Sequence, residues 1–271
     1  DANDKAILPN SKGLRLNFQA TGLNAVDVSV VRIYEDNMLQ YLQVNSLGGS
    51  KELRRVGRPI IRKTVPLTTS GVTDLNAWNE YTLNLEDLIK TEPGAMYQIR
   101  IGFKKAYALY FCSAGETIEP LDENDDRNWD APAEGSYWDY SEDYYGGGYN
   151  WEERDNPCSN AYYGQRRSVT KMVFASNLGL IAKRRDNGDL YVFASNLVNT
   201  ELLSGVDIEV YDYQQQLVAR ASTDGEGKAR IKVDHTPFAI IARQGAQIGY
   251  LKLDDGSAVP KDVSDNLLKE F

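Results

Sequence analysis

Short runs with an apolar residue at every second position, cut by turn residues, constrain this chain more than any other feature. In "GVDIEVYDYQQQLVARASTDGEGKARIKV", Val206, Ile208 and Val210 share one face of a first run, and Leu217, Ala219 and Ala221 share one face of a second. A Thr-Asp-Gly-Glu-Gly turn then leads to Ala229, Ile231 and Val233. A period of two is that of a half-buried strand, and Gly/Asp punctuation every 8–12 residues or so is that of an antiparallel sandwich.

The same grammar covers most of the chain. "GLRLNFQATGLNAVDVSVVRIYE" reads as strand, turn, strand, and "RPIIRKTVPL", "NEYTLNL", "MYQIRIGF" and "YALYFC" as further strands, the last ending at Cys112. "SVTKMVFASNLGLIAKRRDNGDLYVFASNL" gives two or three strands with a hairpin at Asp186-Asn187-Gly188, where Asn-Gly supplies positive φ angles. "PFAIIARQGAQIGYLKL" adds two more. Helix is minor. Met38, Leu39, Leu42 and Leu47 fall on one helical face, with Asp36 or Asn37 as cap and Gly48-Gly49 as stop; "NLEDLIKTEPG" reads as a short helix capped by Asn84. The expected fold class is all-β: two antiparallel β-sandwich domains with minor short helices. The expected units are 7–112, an acidic aromatic insertion or linker at 113–165, a second sandwich at 166–256, and a linker toward a next domain at 257–271.

Charge narrows the function. The net charge is −9 over 271 residues, which disfavours nucleic acid as a partner, since phosphate contacts need clustered Lys and Arg. Residues 113–165 hold 14 acids against two bases, a net of −12, so the rest of the chain carries +3. No apolar run approaches the roughly 18 residues of a spanning helix or resembles a signal peptide's core. The opening "DANDKAILPN" reads as a mature or truncated start. There is no Asn-x-Ser/Thr sequon.

The second unit resembles a known family. "ASNLGLIAKRRDNGDLYVFASNLVNTELLSGVDIEVYDYQQQLVARASTDGEGKARI", with "PFAIIARQGAQIGYLKLDDGSAV", is similar to a macroglobulin-like domain of bacterial alpha-2-macroglobulins. "NAVDVSVVRIYEDNMLQYLQ" and "AMYQIRIGFKKAYALYFC" resemble an earlier domain of the same family. The resemblance implies macroglobulin-like sandwiches of immunoglobulin or fibronectin-III type. It also implies a piece of a large protease trap in which a bait segment is cleaved and the protease is caged or captured by a thioester. The family's thioester motif is Cys-x-Glu-Gln, whereas Cys112 is followed by "SAG" and Cys158 by "SNA", and no bait is recognisable. The expectation is a non-catalytic scaffold portion of a broad-spectrum protease inhibitor, with no cofactor. It would be exported to the periplasm or cell surface, with a lipid anchor upstream as one option. Its partners would be other domains of the same polypeptide and, through the whole protein, host or competitor proteases. The rival is a cell-surface adhesin or glycan-binding module using the aromatic insertion.

In an exported protein, Cys112 and Cys158 suggest a disulfide bracketing the insertion; the alternative is two free thiols, the first buried and the second exposed. Trp129, Tyr137, Trp138, Tyr140, Tyr144, Tyr145, Tyr149 and Trp151 form a candidate contact surface, because Tyr and Trp combine large apolar area with a polar tip. The plainer reading is a loop packed on its parent domain, and sugar stacking is a third. Asp122, Asn124, Asp126 and Asn128 sit at positions 1, 3, 5 and 7 of a calcium loop, but Arg127 and Ala133 occupy the places of its Gly and Glu. A solvated acidic turn fits that stretch better. His235, the only histidine, reads as a turn residue rather than a general base. No nucleophile elbow, phosphate loop or clustered His/Cys metal spacing is present.

Overall fold

The computed structural model describes residues 5–8, 14–68, 71, 73–92, 94–112, 151–163, 168–185 and 188–253. The fourteen strands there are β1 (Lys5–Leu8), β2 (Arg15–Ala20), β3 (Ala25–Ile33), β4 (Gly57–Pro66), β5 (Asn79–Asn84), β6 (Met96–Gly102), β7 (Val169–Ala175), β8 (Leu178–Arg184), β9 (Asp189–Asn196), β10 (Asp207–Tyr211), β11 (Leu217–Ser222), β12 (Lys228–Lys232), β13 (Ala239–Gln244) and β14 (Gln247–Lys252). The single α-helix among the described residues, α1, is Met38–Val44. The fold is all-β, as the alternation implies.

In the first unit a five-stranded sheet, ordered β1-β7-β6-β3-β4, packs on the two-stranded sheet β2-β5. Val26, Val28 and Val30 of β3 alternate inward and meet Ile99 and Ile101 of β6, Leu16 and Phe18 of β2, and Tyr81 and Leu83 of β5. The Phe18 and Tyr81 rings stack at 5.5 Å. In the second unit the sheets β11-β10-β13-β14 and β12-β9-β8 enclose a core of Val192, Ile208, Val210, Ile231 and Ile240.

Several sequence expectations are corrected. The strand at Val169–Ala175, placed by the sequence in the second unit (166–256), pairs antiparallel with β6 and belongs to the first unit's sheet. Its run "KMVFA" is apolar on both faces, as a central strand covered on both sides must be. On its other edge lies β1, parallel to it, which the alternation did not announce. "YALYFC" forms no regular strand. A tight turn at Lys105–Tyr107 carries the chain across the sheet end, Ala108 makes one bridge to Leu23, and Phe111 is 94% exposed. The expected helix after Asn84 is a single 3-10 turn, Leu85–Asp87, which drops Leu85 into the core; Asn84 donates to the Asp87 carboxylate rather than capping.

Asn37 stands at the N-cap of α1, yet its amide donates to the Val56 carbonyl. The helix is ended by Asn45, not by Gly48-Gly49. The buried Asn45 amide donates to Tyr41 and Lys51 carbonyls, and its oxygen accepts from the Lys51 N–H at 2.8 Å. On β11 a bulge pairs Leu217 with Tyr211 and Ala219 with Val210; it turns Val218 toward the core and leaves Leu217 exposed. Gly188 has φ +85, fitting the expected hairpin, whose Asp186 and Asn187 lie outside the described residues.

Candidate functional site at the junction of the two units

Strand alternation gives each sheet a second face, and here two of those faces meet. From the first unit come Ile33, Met96, Met172 and Phe174 on the outer side of the five-stranded sheet, with Met38, Tyr41 and Leu42 of α1 and Leu53 and Val56 of the following turn. From the second come Phe238, Ala239, Ile241, Ile248 and Tyr250 on the outer side of β13 and β14. Phe174 and Tyr250 pack ring on ring at 5.2 Å. Each apolar side chain fully removed from water contributes about 1.5–3 kcal/mol, so this third core is comparable in kind to the two inside the sandwiches. Ordinary inter-domain contacts within a chain are small and polar enough to permit relative motion; this one is built mainly on buried apolar side chains from both units.

The chain crosses the junction without slack. Ala175 ends β7, and β8 begins at Leu178, with only Ser176 and Asn177 between them. Ser176, fully buried, donates from its hydroxyl to the Ile248 carbonyl at 2.8 Å and accepts the Leu178 N–H at 3.0 Å. The Asn177 N–H is taken by the Gln247 side chain at 2.9 Å. Gly94 (φ +80) comes so close to the second unit that a Cβ there would stand 2.7 Å from Ile248 Cβ.

A polar rim surrounds the core. The Gln43 amide donates to the Tyr213 carbonyl at 2.6 Å and accepts from Gln215, itself held at φ +65 in the β10–β11 turn. Arg243 bridges Glu209 of its own unit at 3.0 Å and Glu35 of the other at 3.2 Å. Lys252 reaches the Asn45 carbonyl at 3.1 Å. The Arg243–Glu35 pair is more than a third exposed on both sides, so it fixes orientation more than it stabilises.

Two phenols lie in this core. Burial pushes the Tyr41 hydroxyl well above the usual tyrosine range, although it donates to the Gly49 carbonyl at 2.8 Å. Burial does the same to Tyr250, reinforced by the nearby Glu35 carboxylate, and the Tyr250 hydroxyl has no hydrogen-bond partner among the described residues.

Cys112 and Cys158 are joined by a disulfide, with Cα atoms 5.6 Å apart and a sequence separation of 46. Residues 151–163 lie against the first unit beside it. Phe103 meets the edges of Tyr162 and Tyr163 at 6.5 and 5.9 Å, and the Tyr163 hydroxyl donates to the Pro157 carbonyl at 2.6 Å. Of the candidate contact aromatics only Trp151 is described, half exposed; Trp129, Tyr137, Trp138, Tyr140, Tyr144, Tyr145 and Tyr149 lie outside the described residues. So do Asp122, Asn124, Asp126 and Asn128; within the described residues no three metal-ligating side chains cluster. His235 is exposed, in the turn between β12 and β13, on an open depression with Asp212, Tyr213 and Phe238. No helix among the described residues is long and apolar enough to cross a membrane.

The sequence reading missed the junction. Its signal was present in "KMVFA" and "PFAIIA", strands apolar at consecutive positions and hence on both faces.

Comparison with known proteins gives a consistent picture. Residues 175–265 match the family model of the bacterial alpha-2-macroglobulin MG3 domain. A search of curated proteins finds no match. Among solved structures, native alpha-2-macroglobulin from Escherichia coli spanning domains NIE-MG1 aligns with TM-score 0.53 and 15% identity, over 93% of this chain and 94% of that one. A longer crystal structure of the same protein, spanning MG0-NIE-MG1, aligns with TM-score 0.51 and 16% identity, over 93% of this chain and 62% of that one. The cryo-EM reconstruction of the native E. coli protein aligns with TM-score 0.51 and 16% identity, and this chain spans only 12% of it. At these identities the structural likeness is one of fold, and it extends over both units. The family match starts at Ala175, where the chain leaves the first sheet. Over residues 175–265 the chain is thus similar to the MG3 domain of bacterial alpha-2-macroglobulins, and over both units it shares the fold of the E. coli protein's NIE-MG1 portion.

Proposed function

We propose that this chain is a non-catalytic frame of a bacterial alpha-2-macroglobulin-like, broad-spectrum protease inhibitor, working with other domains of a longer polypeptide that is exported to the periplasm or cell surface. In this reading the first sandwich runs to residue 175, the second from 176 to about 253, and the disulfide-tethered stretch 113–165 is an insertion of the first. The supporting observation is the apolar junction. Two sandwiches that share a core and a two-residue connection transmit force and hold a fixed angle, which a frame requires and a loose string of binding modules does not. A trap must keep bait and capture elements at set positions before cleavage and move them together afterwards; its frame units should therefore be stiff.

The test uses the natural protein that contains this chain, incubated with proteases of different specificity. A trapped protease still hydrolyses a small chromogenic peptide but no longer digests casein. That pattern is expected for the wild type and should fail when the junction is opened by Ile241→Asp. Casein digestion unaffected by the wild-type protein would overturn the inhibitor reading. Methylamine treatment, followed by intact mass, separates a thioester-dependent trap from one that cages physically.

A further inference from the structure

The outer face of the three-stranded sheet β12-β9-β8 lies on the far side of the second sandwich from the junction, and it carries a pattern that a solvated face does not need. Register fixes its rows. Lys183 of β8, Tyr191 of β9 and Arg230 of β12 form one row, and Ile181, Phe193 and Lys228 the next. Beyond them, the Arg185 backbone N–H donates to the Asp189 carbonyl, and Lys232 of β12 stands opposite Asp189 in the strand register. Among the described residues, five cations thus share a face with one carboxylate, that of Asp189, which is buried and already held by Arg230 at 2.6 Å. Three of them crowd one ring: Arg185, Lys228 and Arg230 stand 4.9, 5.2 and 6.0 Å from the centroid of Tyr191. The ring quadrupole attracts each cation weakly, but the cations repel one another. In a chain of net charge −9 such a gathering is relieved by an anionic partner.

The other half of the face is apolar. Ile181 is 53% exposed in mid-strand, Phe193 is half-buried beside it, and Leu197 lies over Gly179, where a Cβ would come within 2.6 Å of its side chain. A cationic half and an apolar half on one flat sheet is the composition of a protein contact rather than of bulk surface.

We propose that this face docks an acidic polypeptide, its carboxylates over Lys183, Arg185 and Lys228 and its aliphatic or aromatic side chains over Ile181 and Leu197. A sulfated polysaccharide would satisfy the cations and leave Ile181 and Leu197 in water. A membrane would need a cluster of large apolar side chains to insert, and here exposed Ile181 and Leu197 share the face with five cations. The partner's chemistry is thus that of a chain rich in Asp, Glu and aromatics, a composition that residues 113–165 of this same sequence exemplify. This proposal does not depend on protease inhibition and is tested apart from it.

The probe is a fluorescent random copolymer of Glu and Tyr, titrated against the whole 271-residue chain by anisotropy. Binding should weaken about tenfold or more in Lys183→Glu/Lys228→Glu, as charge reversal at a contact does, and should fall steeply between 50 and 200 mM salt, where screening grows (about 10 Å at 0.1 M). Ile181→Ser, which leaves the charges intact, should weaken it about threefold, and thermal melts of the variants should match the wild type. Equal binding by the charge-reversed variant, or no binding at all, would overturn the proposal. Heparin or phosphatidylglycerol vesicles competing as well as the copolymer, with Ile181→Ser silent, would replace the polypeptide by a polyanion or a membrane.

Discussion

Gly94 shows how one residue sets the distance between two units. Its φ of +80 is open to glycine and strained for other residues, and its Cα faces Ile248 so closely that a methyl group would sit 2.7 Å from Ile248 Cβ. Gly94→Ala should therefore cost about 1–3 kcal/mol, combining backbone strain with an overpacked contact, read as a lower midpoint in urea denaturation. A variant as stable as wild type would show that the contact is not made in solution. Tyr250 makes the opposite case. Its buried hydroxyl has no partner among the described residues, so Tyr250→Phe removes a desolvated polar group and keeps the ring on Phe174. Stability should hold or rise by up to about 1 kcal/mol; a loss beyond that would reveal a hydrogen bond to that hydroxyl. Neither residue carries a sequence signal by itself. Gly94 follows Pro93 and reads as a turn, and a tyrosine at 250 fits any half-buried strand. Their roles come from partners more than 70 positions away in sequence.

At the scale of elements, β13 is the most informative. Ile240 points into the second sandwich's own core, whereas Ile241, its neighbour, points into the junction. Truncation to alanine should cost about 2–5 kcal/mol at a rigid buried site, but with different consequences. Ile240→Ala should lower the stability of the second unit as a whole, while Ile241→Ala should uncouple the units and leave each sandwich folded, separable by limited proteolysis near residues 175–177. Similar proteolytic patterns for the two variants would contradict this division of faces. The strands themselves were legible because alternation reports one buried face directly. What was not legible had other causes. Val169–Ala175 follows the insertion in sequence but closes the earlier sheet, a choice made by β6 across some seventy residues. Leu217 keeps the alternating pattern yet points outward because a bulge slips the register by one. The end of α1 was assigned to a glycine pair, but the hydrogen bonds that end it come from Asn45.

In the whole molecule three apolar cores stand in series, two inside the sandwiches and one between them. Burial raises the phenols of Tyr41 and Tyr250 in the middle core. A folded-state pKa above the unfolded one contributes stability that is complete below the ordinary tyrosine value, about 10, and is lost as pH rises beyond it. The junction should therefore weaken above about pH 10, with no comparable loss from these two groups between pH 5 and 9. Tyr41→Phe/Tyr250→Phe should shift that alkaline transition upward, as followed by circular dichroism. The most direct measurement is native-state hydrogen exchange in low urea, comparing amides of β3 and β6 with those of β10 and β13. A shared core predicts that the slowest amides of both units exchange through one opening, with the same free energy and the same urea dependence, and that Ile241→Asp splits them into two. Two distinct openings in the wild-type chain would mean that the sandwiches unfold independently and that the junction does not make them one frame.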